Sequence, residues 1–349
     1  MLIVKAPLRI SIGGGGTDLP SYYSKYGSTF ISAAINKYIY ISLHKIFIPD
    51  YIIKYSEMER VQSLDEIQHP LVRECLQEVN LGPGVEISSF ADIPSGTGLG
   101  SSGTFTVSLL KALYTHCQVR HDPMSLAAKA CEIEIDRLAS PVGKQDQYIA
   151  SVGGLTRFDI DCNGEVTANR LSLSEHDFTD LEEHLLLFFT GYSRSASSIL
   201  KEQDDQTRKA HTKGEPKSDS GSSPSESGPS TDPSMEMVEN LHFTKELGVQ
   251  IGDALEKGRL EEFGRLMNVH WEHKRKRSKA MSNSQIDDWY QLAMKNGALG
   301  GKLIGAGGGG FLMFLVDDKR RLRRVMREAG MEDVPFRFDH LGAQVVLRD

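Results

Sequence analysis

Apolar and polar positions along the first sixty residues follow the pattern of strands. Residues 2–12 are rich in β-branched side chains, and residues 38–47 repeat that composition, so both stretches are predicted as strands. A glycine run at 13–16 separates the first strand from residues 17–25, and residues 85–90 form a third, shorter strand that leads into a loop at 91–98. In residues 101–116 the apolar positions Phe105, Leu109, Ala112 and Leu113 recur at helical spacing, which predicts a helix. Pro123 suits the first turn of another helix, running to about residue 138. Residues 142–161 read as loop, short helix and strand. Residues 185–190 are a continuous apolar run, the mark of a buried strand, and a charged helical segment begins after Ala196.

Helices resume over 235–257, 260–279 and 283–296. A strand-like stretch at 301–316 precedes a basic helix at 319–329, and the chain closes on a strand at 343–347. This mixture predicts an α+β protein with two domains, residues 1–180 and 181–349. One segment stands apart. Residues 211–234 are dense in Ser, Pro, Gly and charge and hold no large apolar side chain, so burial cannot offset the entropy of ordering them. They are predicted to be a disordered insertion in the second domain. A regulatory loop carrying phosphorylation sites is the alternative.

The 349 residues are 39% hydrophobic and 25% charged, enough chain and enough apolar content for a substantial core. The formal net charge of −7 argues against nonspecific binding to nucleic acid or anionic membrane, although a pocket can still be locally positive. Cys75, Cys117, Cys131 and Cys162 are widely spaced with no C-x-x-C pair, which reads as four free thiols in a reducing compartment and not as a zinc site. No stretch approaches the roughly 20 apolar residues of a membrane span, and the N-terminus lacks a signal-peptide pattern. The expectation is a cytoplasmic protein, monomer or homodimer.

Three glycine-rich segments change the picture. Pro94, Ser95, Gly96, Thr97, Gly98, Leu99, Gly100, Ser101, Ser102 and Gly103 lie between a strand and a helix. Glycines let the backbone turn back on itself and approach a ligand closely. The following helix start presents unpaired N–H groups and a positive dipole end, which together bind phosphate. The segment is neither a Walker A loop, since no Gly-Lys-Ser/Thr closes it, nor a dinucleotide fingerprint. Read by itself it is as much an ordinary capped turn as a phosphate site. The second segment, residues 302–311, sets four glycines in a row before an apolar run, as close approach to a loop or ligand requires. The third, residues 6–18, joins a strand, a glycine turn and the carboxylate of Asp18. Residues 141–147 add a second loop carboxylate, Asp146.

Together these segments resemble, in order, the three motifs of the GHMP kinase superfamily, named for galacto-, homoserine, mevalonate and phosphomevalonate kinases. The middle one is similar to that superfamily's P-x-x-x-G-L-G-S-S phosphate loop. Galactokinases carry A-P-G-R-V-N-L-I-G-E-H-T-D at the first motif. Ala6, Pro7, Arg9, Gly14, Thr17 and Asp18 fall in register with it, while Gly15 and Gly16 replace the Glu and His that help hold galactose. Glu134, Pro141 and Asp146 keep the spacing of the galactokinase Glu, Pro and catalytic Asp. The stretches PLRISIGGGGTDLP, GKQDQYIASVGG, TGYSRSA and WEHKR resemble the D-glycero-D-manno-heptose 7-phosphate kinases within the superfamily.

The resemblance implies an N-terminal domain like the second domain of ribosomal protein S5, a ferredoxin-like C-terminal domain, and a ligand cleft between them. It implies ATP and Mg²⁺ as cofactors, and transfer of phosphate to the anomeric hydroxyl of a seven-carbon sugar phosphate. A fucokinase-like or galactokinase-like kinase of free sugars, and a non-enzymatic nucleotide or sugar sensor, are the competing functions. The intact Asp146, Arg9 and Ser102 speak against the sensor. Asp146 would be the base or orient the hydroxyl, and Arg9 would neutralise charge on the transferring phosphoryl group. Their bland alternatives are a helix cap and a solvent-facing strand residue. Residues 94–103 would hold the nucleotide.

Ser102 and Glu134 would be the Mg²⁺ contacts, unless Glu134 sits on a solvated helix face. Asp18, Gly14, Gly15, Gly16, Gly307 and Gly308 would line the sugar site, unless Asp18 only braces its own glycine turn. Arg194 is the first candidate for the sugar's phosphate, with Lys274, Arg275 and Lys276 behind it. Trp271 is expected in the core, and His270 and His273 are expected to be satisfied or exposed.

Overall fold

The computed structural model describes residues 1–192, 197–213 and 232–349. β1 (Leu2–Gly13), β2 (Ser28–Lys45), β3 (Tyr51–Lys54), β4 (Met58–Val61), β5 (Val85–Ala91), β6 (Leu155–Ile160) and β7 (Val166–Arg170) belong to one sheet. β8 (Leu185–Phe189), β9 (Ala298–Ile304), β10 (Phe311–Val316) and β11 (Glu332–Asp333) make a second, antiparallel one in the order β11-β8-β10-β9. The last strand, β12 (Gln344–Arg348), returns to the first sheet and pairs with β1. With helices packed against both sheets, the protein has an α+β two-domain fold. The boundary drawn at 180/181 assigned residues 344–348 to the second half by chain order. They instead cover the edge of β1 that would otherwise present unpaired backbone.

β2 begins at Ser28, ten residues before the stretch its composition marked. One edge pairs with β1, and the other is long enough for two neighbours: residues 39–45 with β5 and residues 28–33 with β6. Residues 28–35 are buried throughout, so they lack the alternation that a one-sided strand shows. The run at 301–316, read as one strand-like stretch, is a hairpin. Phe311 lies opposite Ile304, and the glycines between them form the turn.

From Ala6 onward β1 is likewise buried without interruption, because both its faces are covered. The helix Ser101–His116 packs on it within the first half. The helix Pro233–Glu256 of the second half crosses it so closely that a Cβ on Gly248 would come 3.0 Å from Gly14 Cα. Leu8, Ile10 and Ile12 therefore share one core with Leu247, Ile251, Phe263, Met313 and Leu315. Trp271 is fully buried in the core, as expected. The helices Ser197–Lys213 and Pro233–Glu256 run into the predicted insertion from both sides, so residues 211–213 and 233–234 are helical. Most of that insertion, and Arg194, lie outside the described residues.

Candidate active site

A cavity of about 700 Å³ is lined from both halves of the molecule and by parts of all three glycine segments. Its centre is an ion pair. β1 changes register between Pro7 and Leu8, where proline has no N–H to donate, and the Arg9 N–H bonds Leu99 O at 3.0 Å instead of continuing undisturbed along the ladder. That contact seats β1 beside the phosphate-loop segment. The Arg9 guanidinium, 8% exposed, then reaches Gly98 O at 2.6 Å and the Asp146 carboxylate at 2.7 and 2.8 Å. Both Asp146 contacts fall on Oδ1. Oδ2 accepts no hydrogen bond among the described residues.

Asp146 is wedged against the loop that precedes the helix Ser101–His116. A Cβ on Gly100 would stand 3.0 Å from Asp146 Cγ, and one on Gly103 would stand 2.7 Å from Asp146 Cβ. Gly100 sits at the N-cap with φ of 81°, where a side chain is rarely accommodated, and no side chain caps the helix. The first-turn N–H groups are left to a ligand, and the buried Ser101 hydroxyl has no partner among the described residues. An uncapped helix start and an orphan hydroxyl fit a phosphate group. The ordinary capped turn, which the sequence left open, does not form.

Gly98 and Gly305 explain the second glycine run. Their backbones touch, so that a Cβ on Gly305 would lie 2.5 Å from Gly98 Cα, and one on Gly310 would lie 2.2 Å from Thr97 O. The run 305–310 thus clamps the phosphate loop from the second half. Its lining residues are Gly305 and Ala306. Gly307 and Gly308, expected at the sugar, pack on Met281 instead, because the turn faces the short helix Lys279–Met281 there. Gly14 is also a packing position, with Thr29 O 2.3 Å from where its Cβ would stand. Gly15 and Gly16 do line the cavity, as do Ser95, Gly96, Gly98, Gly100, Ser101 and Ser102. Thr97, Leu99 and Gly103 are buried behind the loop, and Pro94 is exposed at its start. The Thr97 hydroxyl donates to Pro94 O at 3.0 Å, and Leu99 is fully buried.

Asp18 braces its glycine turn and also faces the cavity. Its Oδ1 accepts the Gly16 N–H at 3.1 Å and its Oδ2 accepts the Gln145 N–H at 3.0 Å, so it ties the first glycine turn to the start of the helix Gln145–Val152. Burial raises the Asp18 pKa, and the Gln145 amide opposes that rise. Gly143 leaves the room it needs, since a Cβ there would meet Asp18 Oδ2 at 2.0 Å.

Glu134 is not on a solvated face. It is 1% exposed within a π-helical turn, Glu132–Arg137, and stands behind Ser102. The Ser102 hydroxyl donates to its Oε2 at 2.6 Å, and Gln147 Nε2 donates to its Oε1 at 3.0 Å. Burial raises the Glu134 pKa, and the Ser102 hydrogen bond works against the rise. Ser102 lines the cavity and Glu134 does not, so of the two only Ser102 could contact a bound Mg²⁺ directly, and Glu134 would orient its hydroxyl. These hard oxygen donors suit Mg²⁺, which takes few protein ligands and leaves the rest to phosphate and water.

Of the basic run that closes the helix Leu260–Arg275, the fold sorts the members. Lys274 points into the cavity wall, Arg275 pairs with Asp287 at 2.8 Å, and Lys276 is exposed. Arg277 and Lys302, to which the sequence assigns no role, line the cavity with it, and so does His270. A lysine inside the apolar run of β9 was the one available signal for Lys302. His273 stacks on Phe243 at 3.8 Å. Elsewhere along the wall, Tyr55, His69, Leu71, Phe90 and Phe105 supply apolar surface, with His69 stacked on Phe105 at 5.1 Å.

A phosphate loop, a paired Arg and Asp beside it, and a second glycine loop clamped over it define a small-molecule phosphotransferase. The family models of the GHMP kinases N terminal domain and the GHMP kinases C terminal match residues 69–154 and 253–330, and the chain belongs to this family of ATP-dependent kinases. Over 95% of its length and 95% of the relative's, it is 28% identical to the D-glycero-alpha-D-manno-heptose 7-phosphate kinase of Campylobacter jejuni. It is 25% identical over 93% of its length to the L-fucokinase/L-fucose-1-P guanylyltransferase of Bacteroides fragilis, of which it spans 36%. The crystal structure of a D-glycero-D-manno-heptose 1-phosphate kinase from Bacteroides thetaiotaomicron superimposes with a TM-score of 0.77 at 25% identity, covering 100% of both chains. Among the described residues, no helix is long and apolar enough to cross a membrane.

Proposed function

We propose that the protein transfers the γ-phosphoryl group of ATP to the anomeric hydroxyl of D-glycero-D-manno-heptose 7-phosphate, giving the 1,7-bisphosphate on the way to a nucleotide-activated heptose. The observation that carries the reading is the Arg9–Asp146 pair, held against the two glycines at the mouth of the uncapped helix. Any phosphoryl group bound at that helix start lies beside a carboxylate whose Oδ2 accepts no hydrogen bond among the described residues. The similarity to heptose phosphate kinases supports the choice of acceptor.

Residues 95–102 cradle the nucleotide phosphates through backbone N–H groups and the Ser101 and Ser102 hydroxyls, and the apolar wall around Tyr55 and Phe105 takes the base. Mg²⁺, when bound at Ser102, would offset charge on the donor phosphates. The acceptor sits against Asp18, Gly15 and Gly16. Its anomeric oxygen attacks the γ-phosphorus, the bond to the β,γ-bridging oxygen breaks, and ADP leaves. Asp146 Oδ2 orients the hydroxyl and accepts its proton as the new P–O bond forms. Arg9 holds Asp146 in place and faces the charge on the transferring group. Phosphoryl transfer through a loose transition state needs this positioning and charge balance more than a strong base.

The test is ATP consumption by the purified protein with Mg²⁺ against D-glycero-D-manno-heptose 7-phosphate, mannose 6-phosphate, sedoheptulose 7-phosphate, fucose, galactose and mevalonate. Turnover with the heptose phosphate and a product phosphorylated at the anomeric position support the reading. Turnover confined to fucose or galactose overturns it in favour of a free-sugar kinase.

A further inference from the structure

We propose that Lys274, Arg277 and Lys302 form the subsite for the phosphate that the acceptor sugar already carries. This rests on the reading of the acceptor above and adds to it the residues that select a phosphorylated sugar. Lys274 and Arg277 are each 8% exposed and Lys302 1%, yet all three line the cavity. None of them forms an ion pair with a carboxylate among the described residues. Lys302 Nζ donates to Ile12 O at 3.0 Å and to His270 Nδ1 at 3.0 Å. Lys274 Nζ bonds Leu303 O at 3.1 Å and also Gly305 O. Arg277 reaches Asn240 Oδ1 at 2.8 Å, Gly15 O at 3.3 Å and Thr244 Oγ1 at 2.5 Å.

An ammonium has three donor hydrogens and a guanidinium has five. Each lysine therefore keeps one N–H, and Arg277 keeps two, with no partner among the described residues. Arg9 and Asp146 balance each other, and Asp18 is the remaining carboxylate on this wall. Buried positive charge is thus in excess, and it crowds. Burial first, then Arg277 and Arg9, lowers the Lys274 pKa, and burial with Lys274 lowers that of Lys302. Uncompensated buried ammonium groups are costly. A sugar phosphate with nearly two negative charges supplies the missing counter-charge and accepts the free N–H groups. The donor's phosphates have their own cradle on the glycine loop. Lys302 and Arg277 instead hold the carbonyls of Ile12 and Gly15, on the Asp18 side proposed for the acceptor, while Lys274 holds Leu303 O and Gly305 O between that side and the glycine loop.

The experiment has two arms, on wild type, Lys302→Met and Lys274→Met, each checked for cooperative unfolding. The first compares kcat/KM for D-glycero-D-manno-heptose 7-phosphate with that for the unphosphorylated heptose. Each substitution should collapse the preference for the phosphorylated sugar by about 30-fold or more. An equal loss on both sugars, or a preference that survives, overturns the subsite. The second arm saturates the glycine loop with a non-hydrolysable ATP analogue and titrates inorganic phosphate. Stabilisation of wild type that is lost in both variants supports the subsite even if the heptose phosphate proves not to be a substrate. Identical stabilisation of all three proteins overturns it, while turnover of the heptose phosphate by wild type would leave the proposed function standing.

Discussion

Replacing Gly305 by Ala tests whether the contact between the two glycine loops holds the phosphate cradle in place. Gly305 has φ of 89°, and an added Cβ would meet Gly98 Cα at 2.5 Å, about 0.9 Å short of the 3.4 Å at which ordinary contact begins. Gly98 cannot simply withdraw: its own φ is 85°, and Ile304 O lies 2.9 Å from its Cβ direction. Unfavourable backbone conformation contributes about 1–2 kcal/mol, and overpacking about 1–3 kcal/mol. The sum is about 2–5 kcal/mol of lost stability, or an equivalent displacement of the loop. Because a shift of about 1 Å near the chemistry can cost about 100-fold in rate, kcat/KM for ATP should fall by about that factor. The assay pairs urea unfolding with calorimetric ATP binding and steady-state turnover. Gly297→Ala is the control, since Gly297 has φ of 99° but nothing within 4 Å of a Cβ. It should show the backbone cost alone. A Gly305→Ala protein with wild-type stability, ATP affinity and turnover would refute the clamp.

Asp146→Asn should lower kcat by about 10²–10⁴-fold while ATP affinity stays within a few-fold; loss of ATP binding would instead make Asp146 part of the nucleotide site. Glu134→Gln keeps the shape but weakens the acceptor for the Ser102 hydroxyl, so the Mg²⁺ concentration for half-maximal rate should rise about tenfold, and an unchanged Mg²⁺ requirement would remove Glu134 from that role. The Lys274 pKa is lowered to about 7 by burial and by Arg277 and Arg9, so above that pH binding of a sugar phosphate must take up a proton. Apparent affinity should rise as the phosphate gains its second charge near pH 6 and then fall above about pH 7. Lys274→Met should weaken the upper fall and leave only the part owed to Lys302, whose pKa is lowered as well, and an identical profile in that variant would contradict the assignment. The same depressed pKa means the native state binds fewer protons than the unfolded chain between about pH 7 and 10.5, so this group's contribution to stability grows with rising pH there.

Much of the site was legible along the chain. The helix 101–116, the glycine loop before it and Arg9 in the first strand are local patterns, glycine where the backbone must turn sharply and apolar spacing where one face is buried, whereas Asp146, expected in a loop, lies in the first turn of the helix Gln145–Val152. Their order and spacing carried the family resemblance. The chain order could not say which glycines face the cavity and which make room for neighbouring backbone. That is settled by distant partners, such as Gly98 for Gly305, Met281 for Gly307 and Thr29 for Gly14. Likewise, four consecutive cations at 274–277 look alike in sequence. Tertiary packing of their helix on β9 turns Lys274 inward, leaves Arg275 to Asp287, exposes Lys276, and lets Arg277, beyond the helix end, swing back to Gly15. Glycine and periodicity are local properties of the chain. Burial of a charge depends on which surface arrives from elsewhere, and only the assembled fold decides it.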